Sequence, residues 1–150
     1  MVDLPPEEGV DLASLCTKHG LSNVPLIAPT STDQRIEYVS KSASTFLYCV
    51  LVTGVTGGSA GDLPPDLKDY IGRVWSKTDL PLTIGFGIST PHMVADIADL
   101  GDVLVVGSAI LRAMDKVAED GGSTKDRKEA VRAKVAELTA GCKQVSTASH

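Results

Sequence analysis

Leu80-Pro81-Leu82-Thr83-Ile84-Gly85-Phe86-Gly87-Ile88-Ser89-Thr90-Pro91 is the stretch that decides the fold. It opens with a short apolar run, turns on glycines and closes on Ser89-Thr90-Pro91. A hydroxyl cap followed by proline marks the start of a helix. The same order recurs in Asp102-Val103-Leu104-Val105-Val106-Gly107-Ser108-Ala109-Ile110. Strand, glycine turn and helix start in that order aim bare backbone N–H groups and a positive helix end at one spot, which suits a phosphate.

Working outward, similar apolar runs stand at 24–28, ended by Pro29, and at 45–52, ended by Thr53-Gly54. With 80–84 and 103–106 they make four continuously apolar, β-branched segments. Such runs are expected of strands buried on both faces of a parallel sheet. Helical stretches alternate with them. Pro5-Pro6-Glu7-Glu8 opens the first, which closes at His19-Gly20. Ser31-Thr32-Asp33 caps the second, which runs to about Ser42. Leu63-Pro64-Pro65-Asp66 opens the third, with Leu67, Tyr70, Ile71 and Val74 on one face. After the fourth, capped by Ser89-Thr90-Pro91, a short helix is expected from Ser108 to about Lys116. Asp120-Gly121-Gly122-Ser123 reads as a linker, 125–138 as the last helix, and 141–150 as a frayed tail. Repeated βα units with short loops specify an α/β fold. Val2-Asp3-Leu4 looks like the last residues of a further strand. A closed (βα)8 barrel needs about 250 residues. The 150 residues here are therefore expected to form parallel (βα) units amounting to about half of a TIM (βα)8 barrel, of the phosphate-binding type.

A hydrophobic share of 43% with 22% charged residues is that of an ordinary globular domain. The net charge of −5 argues against a nucleic-acid partner, which would need a basic patch. No run approaches the ~20 apolar residues of a membrane span, so no membrane partner is expected. The start of the chain lacks the basic and apolar regions of a secretory signal. Cys16, Cys49 and Cys142 show no framework spacing and fit free thiols in a reducing, cytoplasmic setting. His19, His92 and His150 do not fall at ligand spacing, and neither CxxC nor HExxH occurs, so no metal site is expected.

Four glycines punctuate the segment 53–62, which is either a lid over a ligand or a plain βα connection. Gly85-Phe86-Gly87 and Gly107-Ser108 form the stronger signal. In phosphate-binding barrels the loops after the last two strands and a short extra helix grip a phosphate. The N–H groups of Gly87, Gly107 and Ser108, with the Ser108 hydroxyl, are the candidate donors. Asp3, at a strand end, is either a reacting carboxylate or a cap for the helix that follows. The other carboxylates, among them Glu37, Asp66, Asp69, Asp96, Asp99, Glu129 and Glu137, fall on helix faces. No acid–base pair accompanies the phosphate grip.

Taken together, Asp3-Leu4-Pro5-Pro6-Glu7-Glu8, Leu26-Ile27-Ala28-Pro29-Thr30, Thr53-Gly54-Val55-Thr56-Gly57, Leu63-Pro64-Pro65-Asp66-Leu67, Gly85-Phe86-Gly87-Ile88-Ser89-Thr90-Pro91 and Val106-Gly107-Ser108-Ala109-Ile110 resemble the α subunit of tryptophan synthase over about residues 2–116. The resemblance implies a stretch from the end of barrel strand 4 to helix 8. It implies a lyase of tryptophan biosynthesis that cleaves indole-3-glycerol phosphate to indole and glyceraldehyde 3-phosphate. It also implies a partner, the β subunit or β domain, which alone would carry pyridoxal phosphate, so no cofactor is expected in this chain. By the same resemblance Gly57, Gly87, Gly107 and Ser108 match phosphate-binding positions. Phe86 and Tyr48 match the substrate pocket, and Thr56 the lid. The family's catalytic glutamate and aspartate fall on positions before Met1, so no catalytic residue is assigned. Val52 and Gly58-Ser59-Ala60-Gly61 depart from the arginine and the Ala-Arg common around the family lid. The alternatives are a non-catalytic phosphosugar-binding half-barrel, including one paired with itself, and a half-barrel that only docks on a β subunit.

Overall fold

The computed structural model describes residues 10–51, 63–85 and 87–142. The expected strand remnant at Val2-Asp3-Leu4, the helix start at Pro5-Pro6-Glu7-Glu8, the glycine-rich segment 53–62 and the tail 143–150 lie outside the described residues. In chain order the elements are α1 (Val10–Lys18), β1 (Leu26–Ile27), α2 (Asp33–Ser42), β2 (Leu47–Val50), α3 (Leu67–Trp75), β3 (Leu82–Gly85), α4 (Pro91–Ile97), β4 (Val103–Val105), α5 (Ser108–Glu119) and α6 (Thr124–Cys142). The strands form one four-stranded sheet in the order β1-β2-β3-β4, and every neighbouring pair is parallel. Sequential parallel strands joined by helices are what the βα rhythm of the sequence specifies.

Local chemistry sets the helix boundaries. Thr32 caps α2, its hydroxyl accepting from the Arg35 N–H at 3.3 Å. Thr90 caps α4 in the same way through Met93 N–H at 3.2 Å, with Pro91 opening the helix. Ser123 and Asp126 bond reciprocally at the start of α6, satisfying first-turn donors that have no partner within the helix. Two helices run further than expected. Helix α5 continues past Lys116 to Glu119, where Gly121 N–H and Gly122 N–H return to the carbonyls of Ala118 and Val117. Helix α6 continues past Leu138 to Cys142, so 141–142 belong to a helix and not to the expected frayed tail. The reason is Gly141, which is buried where α6 crosses the first turn of α4. A side chain there would run into the Pro91 carbonyl and lie 2.9 Å from the Val94 Cβ.

The core lies between the sheet and its helices. Leu47, Cys49, Leu51, Leu82 and Ile84 point toward the helical layer and are fully buried, with Ile36, Val39, Ile71, Val74 and Ile97 facing them. The expectation that the strands are buried on both faces holds for β3, where all four residues are buried, and is corrected for β4. Tyr48, Thr83 and Val103 share one rung, and Val50, Gly85 and Val105 the next. Side chains of one rung share a face. On that second face Val103 is 49% and Val105 38% exposed. Among the described residues the helices cover one side of the sheet, and Val103 and Val105 are open on the other.

Candidate functional site

The register of β3 and β4 builds the site. Gly85 pairs with Val105, so Gly87 and Gly107 each lie two residues beyond the same rung, at the carboxyl end of neighbouring strands. This is the end of a parallel sheet where ligands bind. Gly87 has φ of 79°, in the left-handed region. A side chain there costs about 1–2 kcal/mol, so the turn after β3 calls for glycine.

Gly107 takes the N-cap position of α5 with φ of −120° and offers no side-chain cap. Helices α2, α4 and α6 each spend a Ser or Thr hydroxyl on their first turn. The N–H groups that open α5 are left to solvent or to a ligand, and they carry the positive end of a 12-residue helix. Ser108, the first residue of α5, is exposed beside them. A Cβ placed on Gly107 would meet nothing within 4 Å, so the space over this helix end is open.

The structure thus brings together three of the sequence-predicted phosphate residues, Gly87, Gly107 and Ser108. The pocket residue Tyr48 stands on β2 on the open face, half-buried, with its phenol over Gly85 where a side chain would otherwise sit. Gly57, Thr56 and Phe86 lie outside the described residues.

Two residues that hold the neighbouring loop were not singled out as such from sequence. The Tyr70 hydroxyl donates to the Ile27 carbonyl at 2.7 Å. Arg73 donates to the Pro29 carbonyl at 2.9 Å and pairs with Asp33 at 3.3 Å. Both come from α3 and fasten the Ala28-Pro29-Thr30 turn at the carboxyl end of β1. Within that turn Ser31 accepts from the Ala28 N–H at 3.1 Å. The apolar stripe of α3 placed Tyr70 inward, but its partner lies 43 residues away and leaves no local signal. Burial pushes the Tyr70 phenol well above its usual range, and it pushes the adjacent Cys49 thiol up to about 11. Both groups stay protonated at neutral pH and act as packing and hydrogen-bonding groups.

The grip on an anion therefore rests on neutral donors and a helix dipole. Residues 87–90 and 106–107 include no carboxylate, histidine, lysine or arginine. The titratable pair nearest in sequence, His92 with Asp96 at 3.1 Å, is solvent-exposed on α4. Among the described residues no cluster of three metal-ligating side chains occurs, and no helix is long and apolar enough to cross a membrane. The arrangement can hold and orient a phosphate. It offers no proton donor or acceptor on the two phosphate-side loops.

Comparison with known proteins bears on the fold and the family. The family model for the tryptophan synthase alpha chain matches residues 1–146. The tryptophan synthase alpha chain of Thermoanaerobacter sp. (strain X514) is 41% identical over 114 residues, covering 76% of this chain and 43% of that one. That of Methanosarcina barkeri is 39% identical over 145 residues, covering 96% of this chain and 51% of that one. The crystal structure of the alpha chain from Legionella pneumophila superposes with a TM-score of 0.80 at 29% identity, covering 98% of this chain and 52% of that one. The chain spans about half the length of the relatives it matches.

Proposed function

This chain belongs to the tryptophan synthase alpha chain family, and from that premise we propose that its residues form the substrate-holding half of the alpha reaction in tryptophan biosynthesis. The ligand is the phosphate of indole-3-glycerol phosphate or of glyceraldehyde 3-phosphate. One observation carries the reading: Gly87 and Gly107 end the same rung of the sheet, beside a helix N-terminus that its own side chains leave uncapped. Gly87, Gly107 and Ser108 supply the N–H groups, and the Ser108 hydroxyl adds a further donor. Gly57 completes the cradle, Tyr48 and Phe86 line the pocket, and Thr56 belongs to the lid.

The acid–base step is a separate matter. In this reading none of these 150 residues serves as the family's catalytic glutamate or aspartate, and binding without turnover is the behaviour expected of these residues by themselves. Losing one acid–base role costs about 10² to 10⁴ in rate, and gripping a phosphate equally in substrate and transition state restores none of it. The partner in this reading is a β subunit or domain, which would bring pyridoxal phosphate, while these residues hold no cofactor. The compartment is the cytoplasm, in keeping with the free thiols of Cys16, Cys49 and Cys142.

Calorimetric titration with glycerol 3-phosphate tests the grip, with amide hydrogen exchange read at Gly87 and Ser108. Saturable binding with slowed exchange at both amides is expected. Unchanged exchange at both sinks the phosphate reading. Indole release from indole-3-glycerol phosphate by these residues alone, at the rate of a complete enzyme, would overturn the division between holding and catalysis.

A further inference from the structure

We infer that the cleft where α4, α5 and α6 meet is a second anion site, suited to a phosphate group, with Arg112 and Lys134 as its cations and Ser89 as its hydroxyl. The inference goes beyond the grip at Gly87 and Gly107, which uses neutral donors, and rests on a different set of side chains.

The cleft is the first observation. Helix α6 packs on both α4 and α5. At their meeting point Ser89, Ala109, Arg112, Ala113 and Lys134 line a space of about 260 Å³. Ala109, Arg112 and Ala113 stand at helical spacings of three and four and so share one face of α5. The two alanines put only a methyl each into the gap between the helices, which is why room remains there. The volume falls below the ~300 Å³ at which pockets for drug-sized molecules begin, so it fits a small ion or a single ionic group.

Charge is the second observation. Both ionisable side chains lining the cleft are cations, and no carboxylate lines it, in a chain where Asp and Glu outnumber Lys and Arg by 19 to 14. Arg112 makes no hydrogen bond or ion pair among the described residues. Lys134 is drawn inward: its side chain is 19% exposed, against 77% for Arg132 on the same helix. Taking an ammonium out of water costs free energy that a counter-charge must offset. Glu137 offsets part of it, accepting through both carboxylate oxygens at 3.1 Å. An ammonium has three donors, so one remains. The Ser89 hydroxyl has the Met93 thioether, 3.7 Å away, as its acceptor, and a thioether is a weak one.

These donors choose the ligand. A guanidinium presents a planar fork that matches phosphate oxygens, and an ammonium adds a compact point charge. A phosphate group carries close to two negative charges at neutral pH, one for each cation. The phosphate comes either as the free ion or as an ester.

Titration of the chain with inorganic phosphate, followed by nuclear magnetic resonance, tests this. Saturable shifts are expected at the Ala113 and Lys134 amides, and sodium chloride at matched ionic strength should not reproduce them. Arg112→Gln and Lys134→Gln are each expected to weaken this event about tenfold. Arg112 is exposed, so its variant should keep its helical circular dichroism and carries the test if Lys134→Gln fails to fold. Glu137→Gln releases the ammonium and is expected to strengthen binding about threefold. Glycerol 3-phosphate in place of inorganic phosphate identifies the source. Saturation of the same two amides by both assigns the cleft to phosphate groups including esters, and by inorganic phosphate alone to the free ion. Three results would overturn the proposal: no saturable shift at Ala113 and Lys134, equal shifts with chloride, or an affinity that Arg112→Gln leaves unchanged. The Gly87 and Ser108 amides report the other grip separately, so failure of either proposal leaves the other standing.

Discussion

Leu82 and Ile84 on β3, and Val103 and Val105 beside them on β4, are interchangeable in hydropathy yet live in different surroundings. The first two point at the helices and expose nothing, while Val103 and Val105 point the other way and are 49% and 38% exposed. Nothing in the residues themselves separates the two groups. What differs is the layer across from them: α2, α3 and α4 close one side, and no described element closes the other. An apolar strand records that a covering layer is required. It does not record which chain supplies that layer.

The comparison is broken most directly by trimming both sides. Ile84→Ala removes methylenes from a fully buried site and is expected to cost about 2–5 kcal/mol, from lost transfer energy and the cavity left behind. Val103→Ala removes two methyls already half in water and is expected to cost under about 1 kcal/mol. Urea unfolding at low protein concentration measures both. Equal losses would mean that the second face is covered within one chain.

This asymmetry also marks how far the sequence could be read. The four strands, their parallel order and the caps at Thr32 and Thr90 follow from apolar runs and hydroxyl placement, both of which act over a few residues. The same reasoning misjudged β4, because Val103-Leu104-Val105 has the pattern of a strand buried on both faces whether or not its second layer is present. The last helix was expected to end at Leu138, with 141–150 as a tail. In the structure Gly141 is a point of close helix crossing, a tertiary fact with no local trace. At the site, the turn glycines and Ser108 were legible because each is a local strand-to-helix turn. That Gly87 and Gly107 end one rung depends on strand register, and the fastening of the β1 turn by Tyr70 and Arg73 spans more than 40 residues.

Alkaline titration sharpens the contrast, because the covered face holds an ionisable group that its burial perturbs. Burial raises the Cys49 thiol from its ordinary 9.0 to about 11. Its contribution to stability is complete below pH 9, where folded and unfolded chains both keep the proton. Above pH 9 the unfolded chain loses the proton first, so stability falls as pH climbs toward 11, by about 2–3 kcal/mol at 1.36 kcal/mol per pH unit. The raised Tyr70 phenol acts in the same direction at higher pH. Urea midpoints between pH 8 and 11 should fall more steeply for the wild type than for Cys49→Ala. Parallel slopes would show that water reaches the thiol.

The covering layer itself can be loosened at Gly141. An added methyl would lie against the Pro91 carbonyl and within 3.0 Å of Val94, so Gly141→Ala is expected to lift α6 from α4 at a cost of about 1–3 kcal/mol. Thermal unfolding reads the loss. A neutral result would mean that α6 contributes nothing to the seal on this side.

The smallest effects fall where the two faces meet, at the carboxyl ends of β3 and β4. The two glycines there are alike in sequence and differ in what constrains them. Gly87→Ala forces a side chain into the left-handed region at φ of 79° and is expected to cost about 1–2 kcal/mol in the absence of ligand. Gly107 has an ordinary φ and open space around it. Gly107→Ala is therefore expected to cost under about 1 kcal/mol, from poorer hydration of the uncapped N–H groups of α5. If chain conformation were all that either residue served, Gly107→Ala would leave glycerol 3-phosphate affinity untouched. If the helix end is the phosphate cradle, the added methyl stands in the approach to it. Affinity then drops about tenfold, or 1.4 kcal/mol, in a protein whose melting temperature has hardly moved. Separating affinity from stability at Gly107, with Gly87 as the position where both fall together, distinguishes a glycine kept for a ligand from one kept for a turn.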